Sequence, residues 1–313
     1  MRTDLPNKEF RQLVVLLREE KNFYEDEEPK QIFWPEYNLS QIKDAKETLK
    51  FIKNAVDKCA YLKLNGKVGK PLTDPKDLAK AILICEALGF PERIAQGWIE
   101  VLGSFVGIRS KLDDRTIGDA YDKIEVAYIL RQVFEQTKKS NGELSGDGTG
   151  LETSRKQNYE SSKSCGDYMT SIVDSREIVQ AFDISGEQEC KVMHKLILEV
   201  EGDSLRLDAG FNDRDLVREI AEKEMIPYVF PKKNNDINGA LAWKTMYLSL
   251  FYDVMTWLTE FHKRSHSESF HSSFKRKNKI LMKIRPLARL CQVIARIILH
   301  NRRRLSYFSR LEC

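Results

Sequence analysis

Three acidic residues occupy positions where carboxylates could do chemistry. Asp147 lies between glycines in GDGTGLE, at the start of a predicted strand, and Asp208 ends the short apolar strand of SLRLDAGF. Glu268 lies in a basic helical segment, FHKRSHSESFHSSFKRK. Three carboxylates at one point repel one another unless divalent cations lie between them. Such oxygen ligands favour Mg²⁺ or Mn²⁺, and two ions together can act on the attacking and leaving oxygens of a phosphodiester.

The surroundings of Glu268 make this interpretation more specific. On a helix that turns about 100° per residue, Phe261, Arg264, Glu268 and Lys275 share one narrow face. Arg264 and Glu268 are also an i, i+4 pair. A carboxylate between Arg and Lys predicts a metal held beside a phosphate backbone. The alternative is a salt-bridged surface helix, and a chain with 47 acidic residues contains many triplets by chance.

Other reactive residue types do not form a recognised motif. His262 and His266 have the spacing of a zinc-protease helix, but no Glu follows His262. The alternating glycines at 146, 148 and 150 are not followed by GKS or GKT, which excludes a phosphate-binding P-loop. The six cysteines contain no CxxC pair, so we expect neither a zinc ribbon nor a disulfide framework, and they favour a reducing cytoplasm.

The C-terminal half must position the three acids, and its pattern predicts a mixed sheet flanked by helices. Short apolar blocks predict five strands at about 144–152, 168–173, 177–184, 204–211 and 226–233. Helical spacing predicts helices at 187–202 and 212–225, followed by closing helices at 240–277 and 286–308. A hairpin followed by alternating helices and strands is typical of an α/β domain.

The N-terminal region is predicted to be all α-helical. We place it at 1–138 and the α/β domain at 139–313, because a polar, Gly- and Ser-rich stretch begins near residue 138. Residues of about 75–130 read as three helices with short turns, the first capped by Asp74 and the third spanning 113–134. This arrangement is typical of a helix-turn-helix, whose third helix would approach DNA from near Thr116. An ordinary three-helix bundle is the alternative, because that helix carries several acids.

Charge is unevenly distributed along the chain. Residues 261–313 contain 14 basic and two acidic residues, a net +12, which leaves −8 for the other 260 residues of a chain whose net charge is +4. A basic segment on an acidic body indicates a polyanionic partner, first nucleic acid and second a membrane surface. The alternative is a solvated helix face. No apolar run approaches the roughly 20 residues that a membrane span needs.

The motifs resemble those of insertion-sequence DDE transposases of bacteria and archaea. The spacing Phe261-x2-Arg264-x3-Glu268-x6-Lys275 is similar to their Tyr-x2-Arg-x3-Glu-x6-Lys signature, with Phe in place of Tyr. LDAGFNDRDLVREI around Asp208 resembles their second Asp block, and DGTGLETSRKQNY around Asp147 resembles the first. The likeness covers about residues 140–308 and implies a ribonuclease H-like catalytic core.

The resemblance also implies roles for individual residues. Asp147, Asp208 and Glu268 would be the catalytic residues and would bind two Mg²⁺ ions, which Mn²⁺ can replace. DNA contacts would come from four basic residues: Arg264, Lys275, Arg276 and Lys277. The partner would be double-stranded DNA, as transposon ends and as target, bound by a homodimer or a higher oligomer in a cytoplasmic, nucleoid-associated complex.

The implied reaction is hydrolysis at the transposon end, which frees a 3′-hydroxyl, followed by attack of that hydroxyl on target DNA. Two alternatives stay open from the sequence. One is a DNA-binding protein of the same descent whose catalytic site is unused. The other is a metal-dependent nuclease that cleaves DNA but does not join it.

Overall fold

A computed structural model describes residues 6–19, 32–62, 73–153, 167–277 and 280–312 of the chain. Cys165, Cys313 and residues 154–159 of the predicted first Asp block lie outside these ranges. The chain divides into two compact units, each discontinuous in sequence. The sheet unit takes its residues from 1–31, 139–150 and 167–273, and the helical unit from 32–138, 151–166 and 274–313.

The sheet unit contains a five-stranded mixed sheet with the order β3-β2-β1-β4-β5. Its strands are β1 (Glu143–Leu151), β2 (Asp167–Asp174), β3 (Val179–Ser185), β4 (Ser204–Leu207) and β5 (Ile226–Val229). β2 and β3 form the predicted antiparallel hairpin, whereas β4 pairs in parallel with both β1 and β5. The sequence therefore predicted a mixed sheet correctly.

Helices connect the parallel strands and cover the sheet. Helix α7 (Glu189–Leu198) precedes β4, and α8 (Arg214–Glu222) joins β4 to β5. The four residues of β4 are all buried, as is typical of a central parallel strand, although its sequence SLRL alternates polar and apolar residues. Asp213 starts α8 by accepting hydrogen bonds from the backbone N–H groups of Asp215 and Leu216 at 2.8 and 3.1 Å.

The N-terminal helix α1 (Asn7–Glu19) belongs to the sheet unit. Phe10, Val14 and Leu17 recur at helical spacing and join the same buried cluster as the strand residues. Periodicity predicted this helix and its apolar face, but it could not identify the partner. The two compact units therefore differ from the predicted division at 138/139 in two ways. Helix α1 packs with the sheet core, and residues 274–313 belong to the helical unit.

In its described residues, the helical unit contains five helices of the N-terminal region and the C-terminal helix. They are α2 (Trp34–Asp57), α3 (Pro75–Leu88), α4 (Glu92–Val106), α5 (Asp114–Ala120), α6 (Ile124–Thr137) and α12 (Pro286–Leu311). Asp74 caps α3 as predicted, by accepting from Lys76 N at 2.8 Å. Helix α12 packs against α2, α3 and α6, so the last 26 helical residues complete this core.

The predicted recognition helix at 113–134 is two helices. Asp113 caps α5, which is only seven residues long, and the chain turns at residues 121–123 before α6 begins. Seven of the 14 residues of α6 are buried, and α6 packs against α3 and α12. A DNA-reading helix needs an exposed face with base-contacting side chains. The other half of α6 is not buried, so its contact with DNA stays a prediction, but the predicted single helix at 113–134 is wrong.

The predicted closing helix at 240–277 is also interrupted. It consists of α9 (Leu241–Tyr252), α10 (Val254–His262) and α11 (Ser265–Lys277). Asp253 separates the first two and caps α10 through Thr256 N at 3.2 Å. Lys263 and Arg264 form a turn between α10 and α11. The assumption that Phe261, Glu268 and Lys275 share one continuous helix is therefore wrong.

Many basic residues of the C-terminal segment are paired with acids of the helical unit. Arg296 lies 2.7 Å from the Glu86 carboxylate, and Arg302 pairs with Asp44. Further pairs join Arg303 to Asp44, Arg310 to Glu47, Lys283 to Glu92 and Arg285 to Asp122. The net +12 of residues 261–313 is thus partly balanced inside the fold, which reduces the polyanion-binding charge that composition indicates. No described helix has the length and apolar character needed to cross a membrane.

Candidate functional site

Asp147 and Asp208 lie side by side at the ends of two neighbouring parallel strands. Gly146 of β1 pairs with Leu207 of β4, and this is the last pair between the two strands. Asp147 and Asp208 each follow directly. Because neighbouring strands lie about 4.8 Å apart, the register brings the two acids to the same edge of the sheet. Ligand sites in open α/β sheets form at this carboxyl edge.

The glycines on each side of Asp147 are required by close packing. A Cβ atom on Gly146 would come within 2.7 Å of Leu207 Cδ2 and 2.8 Å of Met193 Cε. A Cβ atom on Gly148 would collide with the Glu189 carboxylate. Glycines are therefore needed on both sides of Asp147, because side chains from β4 and α7 pack directly against β1 at this point.

The environment of Asp147 disfavours its charged form. Its side chain is 23% exposed. Burial raises the pKa of Asp147 to about 6, against the opposing effect of the Gly148 N–H, which donates to Oδ1 at 2.9 Å. The positive charge of Arg264 also lowers this pKa, whereas the negative charges of Glu268 and Asp208 raise it. The charges of Arg264, Glu268 and Asp208 thus all act on the carboxyl group of Asp147.

Glu268 lies in the first turn of α11 and is exposed. Its Oε1 accepts from Arg264 Nη2 at 2.5 Å. The predicted i, i+4 pair is therefore present, although Arg264 belongs to the turn that precedes the helix. The positive charge of Arg264 also lowers the pKa of Asp147, so this guanidinium pairs with one of the three carboxylates and acts at a distance on a second.

His271 is a site residue that the sequence interpretation missed. It lies one helical turn after Glu268 and is buried. Its Nδ1 is 3.8 Å from Asp147 Oδ2, and its Nε2 is 2.9 Å from the Ser171 hydroxyl on β2. The i, i+3 spacing from Glu268 was a usable signal, because such residues share a helix face.

A buried arginine fixes the helix that leads to Glu268. Arg206 of β4 is 1% exposed and donates to the Glu260 carboxylate and to the Glu260 carbonyl, both at 2.6 Å. Lys263 then bridges Glu260 and Glu143 at 2.9 and 2.7 Å. These bonds attach the end of α10 to β1 and β4. In the sequence, the position of Arg206 between two leucines in a short predicted strand was the signal for this network.

Phe261 is a core residue. It is 8% exposed, stacks on Trp257 with ring centroids 5.4 Å apart, and contacts Phe230 at 5.1 Å. The Arg264 guanidinium lies 5.8 Å from the same ring. The aromatic ring therefore supports the position of Arg264.

The other three predicted DNA contacts lie in the last turn of α11. Lys275, Arg276 and Lys277 are exposed and belong to the helical unit. Basic residues in the last turn of a helix also complement its dipole, which is a structural reason for their presence. Their contact with DNA stays a prediction.

The donor set of the acidic triad is suited to Mg²⁺, because it consists of carboxylate oxygens alone. In the described part of the chain, one group of three Cys, His, Asp or Glu side chains has ligand atoms all within 4.8 Å of one another, and it is Cys190, His194 and Asp213. The carboxylate oxygens of Asp147, Asp208 and Glu268 do not all lie within 4.8 Å of one another. A pair of ions that share ligands spans a wider site than a single ion, and the mutual repulsion at Asp147 is what cations would relieve.

Comparisons with known proteins yield no relative of this chain. No protein-family model, curated protein or solved structure matches it.

Proposed function

We propose that this protein is a DDE transposase whose sheet unit is a ribonuclease H-like catalytic core. The observation that carries the proposal is the position of Asp147 and Asp208 at the ends of adjacent parallel strands. The negative charge of Glu268 also contributes to the raised pKa of Asp147. Three acids separated by about 60 residues in sequence would act in one pocket. The mixed sheet, with a hairpin followed by helix–strand alternation, fits such a core.

Contacts within the sheet unit would orient the acidic side chains before metal and substrate bind. Asp147 is positioned by β1 and by the Gly148 N–H, and His271 lies against its carboxylate. Asp208 is oriented by accepting from Ala209 N at 2.5 Å. Arg264 neutralises part of the negative charge before substrate binds and is available to contact a DNA phosphate when Glu268 exchanges partners.

Asp147, Asp208 and Glu268 would hold two Mg²⁺ ions, for which Mn²⁺ can substitute. The ions would neutralise charge on the reacting phosphate and favour deprotonation of the attacking hydroxyl. The acids must be ionised for this role. Without metal the pKa of Asp147 is about 6, so protons compete with Mg²⁺ for this carboxylate at lower pH. The Mg²⁺ concentration needed for activity is therefore expected to rise when the pH is lowered through about 6.

The proposed reaction has two displacements at phosphorus. Water first attacks at the transposon end and releases a 3′-hydroxyl, and that hydroxyl then attacks target DNA. Both steps require positioning and charge stabilisation more than a covalent protein nucleophile. The partner is double-stranded DNA, and the joining of two ends requires a dimer or a higher oligomer.

The testing experiment uses the full chain and linear DNA that carries the inverted repeats expected on both sides of its gene. With Mg²⁺, we expect cuts at the repeat ends that leave a 3′-hydroxyl, followed by joined products with target DNA. End-labelled DNA on sequencing gels measures the first step and product size the second.

The alternatives give different results in the same assay. Cutting without joined products would favour the nuclease. DNA that is bound but not cut, or a gene without flanking inverted repeats, would favour the protein with an unused site. Either result would contradict the proposed transposase.

A further inference from the structure

A second cluster of reactive side chains lies on the two helices that precede and follow β4. Cys190 and His194 are on α7, and Asp213 caps α8. One ligand atom of each residue, the Cys Sγ, a His ring nitrogen and an Asp oxygen, lies within 4.8 Å of the other two. All three residues are half-buried.

The fold holds these groups together for local reasons. Cys190 and His194 are an i, i+4 pair and therefore share one face of α7. Helices α7 and α8 contact each other, which brings the start of α8 to that face. The Asp213 carboxylate cannot rotate freely, because its Oδ1 accepts the two capping hydrogen bonds of α8.

The orientation of His194 is an independent indication of a ligand. Its Nδ1 lies 2.7 Å from Glu219 Oε2, while its Nε2 is 3.9 Å from Asp213 Oδ1. A carboxylate on one ring nitrogen fixes the ring and the tautomer, so that the other nitrogen has its lone pair available for a metal. Glu219 is on α8, two turns after Asp213, so the same helix supplies the ligand and the group that orients its partner.

We propose that Cys190, His194 and Asp213 form a Zn²⁺ site, with Glu219 orienting His194. Sulfur, imidazole and carboxylate are the donors that Zn²⁺ takes, whereas Mg²⁺ avoids thiolates. With bonds of about 2.0–2.1 Å, the N and O ligands of a tetrahedral ion lie about 3.3 Å apart. His194 Nε2 and Asp213 Oδ1 are 3.9 Å apart, so a small side-chain movement would bring this pair to that distance. Three protein ligands leave a fourth position for water.

The site would attach α7 to the beginning of α8, five residues after Asp208. Zn²⁺ would therefore stabilise the loop that leads from the proposed catalytic acid into α8. This inference does not rest on the transposase proposal, because the ligands and the metal are different.

Cobalt titration of the full chain tests the site. After removal of metals with a chelator, we expect one equivalent of Co²⁺ to produce a thiolate-to-cobalt absorption band, which Zn²⁺ then abolishes by displacement. Cys190→Ser should remove the band. Asp213→Asn and His194→Gln should weaken Co²⁺ binding at least about tenfold, and Glu219→Gln about tenfold, which is the usual effect of losing an orienting partner.

Matched controls separate the site from general effects. Cys291→Ala and Asp215→Asn change the same residue types elsewhere and should retain the band and the affinity, and circular dichroism should show that every variant is folded. Mg²⁺ should not compete with Co²⁺. The inference is overturned if the wild-type chain gives no thiolate band, or if the band survives in Cys190→Ser. Loss of DNA cleavage alone would not affect it.

Discussion

We expect Asp208→Asn to reduce Mg²⁺-dependent DNA cleavage by about 10²–10³-fold, the usual effect of removing one preorganised charge from an active site. The substitution removes the negative charge but keeps the shape of the side chain. Asn also starts helical turns well, so the hydrogen bond to Ala209 N can persist and the fold should be unchanged. DNA affinity should stay equal or rise slightly, because the protein loses a negative charge.

Asp215→Asn is the matched control for this result. Asp215 lies on α8, is exposed, and pairs with Arg218 at 2.9 Å. Both variants lose one surface carboxylate, but only Asp208 lies at the carboxyl edge of the sheet. Equal cleavage by the two variants on end-labelled DNA would remove Asp208 from the catalytic site.

Asp147→Asn is expected to stabilise the sheet unit in the absence of metal, by up to about 3 kcal/mol at pH 8. The folded pKa of Asp147 is about 6, compared with 3.8 for an unperturbed carboxyl. Between these values the folded chain binds the proton more tightly than the unfolded chain, so wild-type stability falls as the pH rises. Above about pH 6, Asp147 is ionised in the folded chain and the loss of unfolding free energy is complete, at about 1.4 kcal/mol per unit of difference between the folded and unfolded pKa. At pH 4 the stabilisation by Asn should shrink below about 1 kcal/mol.

Urea unfolding at pH 4 and pH 8 measures this difference. Trp243 and Trp257 are in the sheet unit, and Trp34 and Trp98 are exposed residues of the helical unit. Replacement of the latter two by Phe makes tryptophan fluorescence report on the sheet unit alone. A stabilisation that is absent at pH 8, or equal at both pH values, would show that Asp147 is not held in an environment that opposes its charge. Such stabilisation is typical of a site that keeps a functional charge at a cost in stability.

The sequence predicted the features that depend on local periodicity and on turn residues. The antiparallel hairpin, the order of helices and strands in the sheet unit, and the Asp74 cap follow from such signals. The pair of Arg264 and Glu268 also follows, since it needs only an i, i+4 relation. The resemblance to DDE transposases indicated Asp147, Asp208 and Glu268, and the parallel register brings the first two together.

The missed features depend on contacts between distant segments. Arg206 and Glu260 are 54 residues apart, and no local pattern predicts their buried ion pair. The predicted helix at 113–134 begins at the right place, yet the turn at 121–123 that divides it is not visible in a continuous apolar pattern. The composition of residues 261–313 gives their net positive charge, but the acidic partners of that charge, such as Glu86 for Arg296, are set by how the helices pack.

Binding of Mn²⁺, measured from the free-ion electron paramagnetic resonance signal, tests most directly whether the three acids form one site. We expect the full chain to bind Mn²⁺ at pH 8 and to lose at least about tenfold in affinity in each of Asp147→Asn, Asp208→Asn and Glu268→Gln, because every one of them would be a ligand. Asp215→Asn and Cys190→Ser should bind as the wild type does. If any one of the three acidic variants binds Mn²⁺ with unchanged affinity, the shared metal site, and with it the proposed catalytic mechanism, is contradicted.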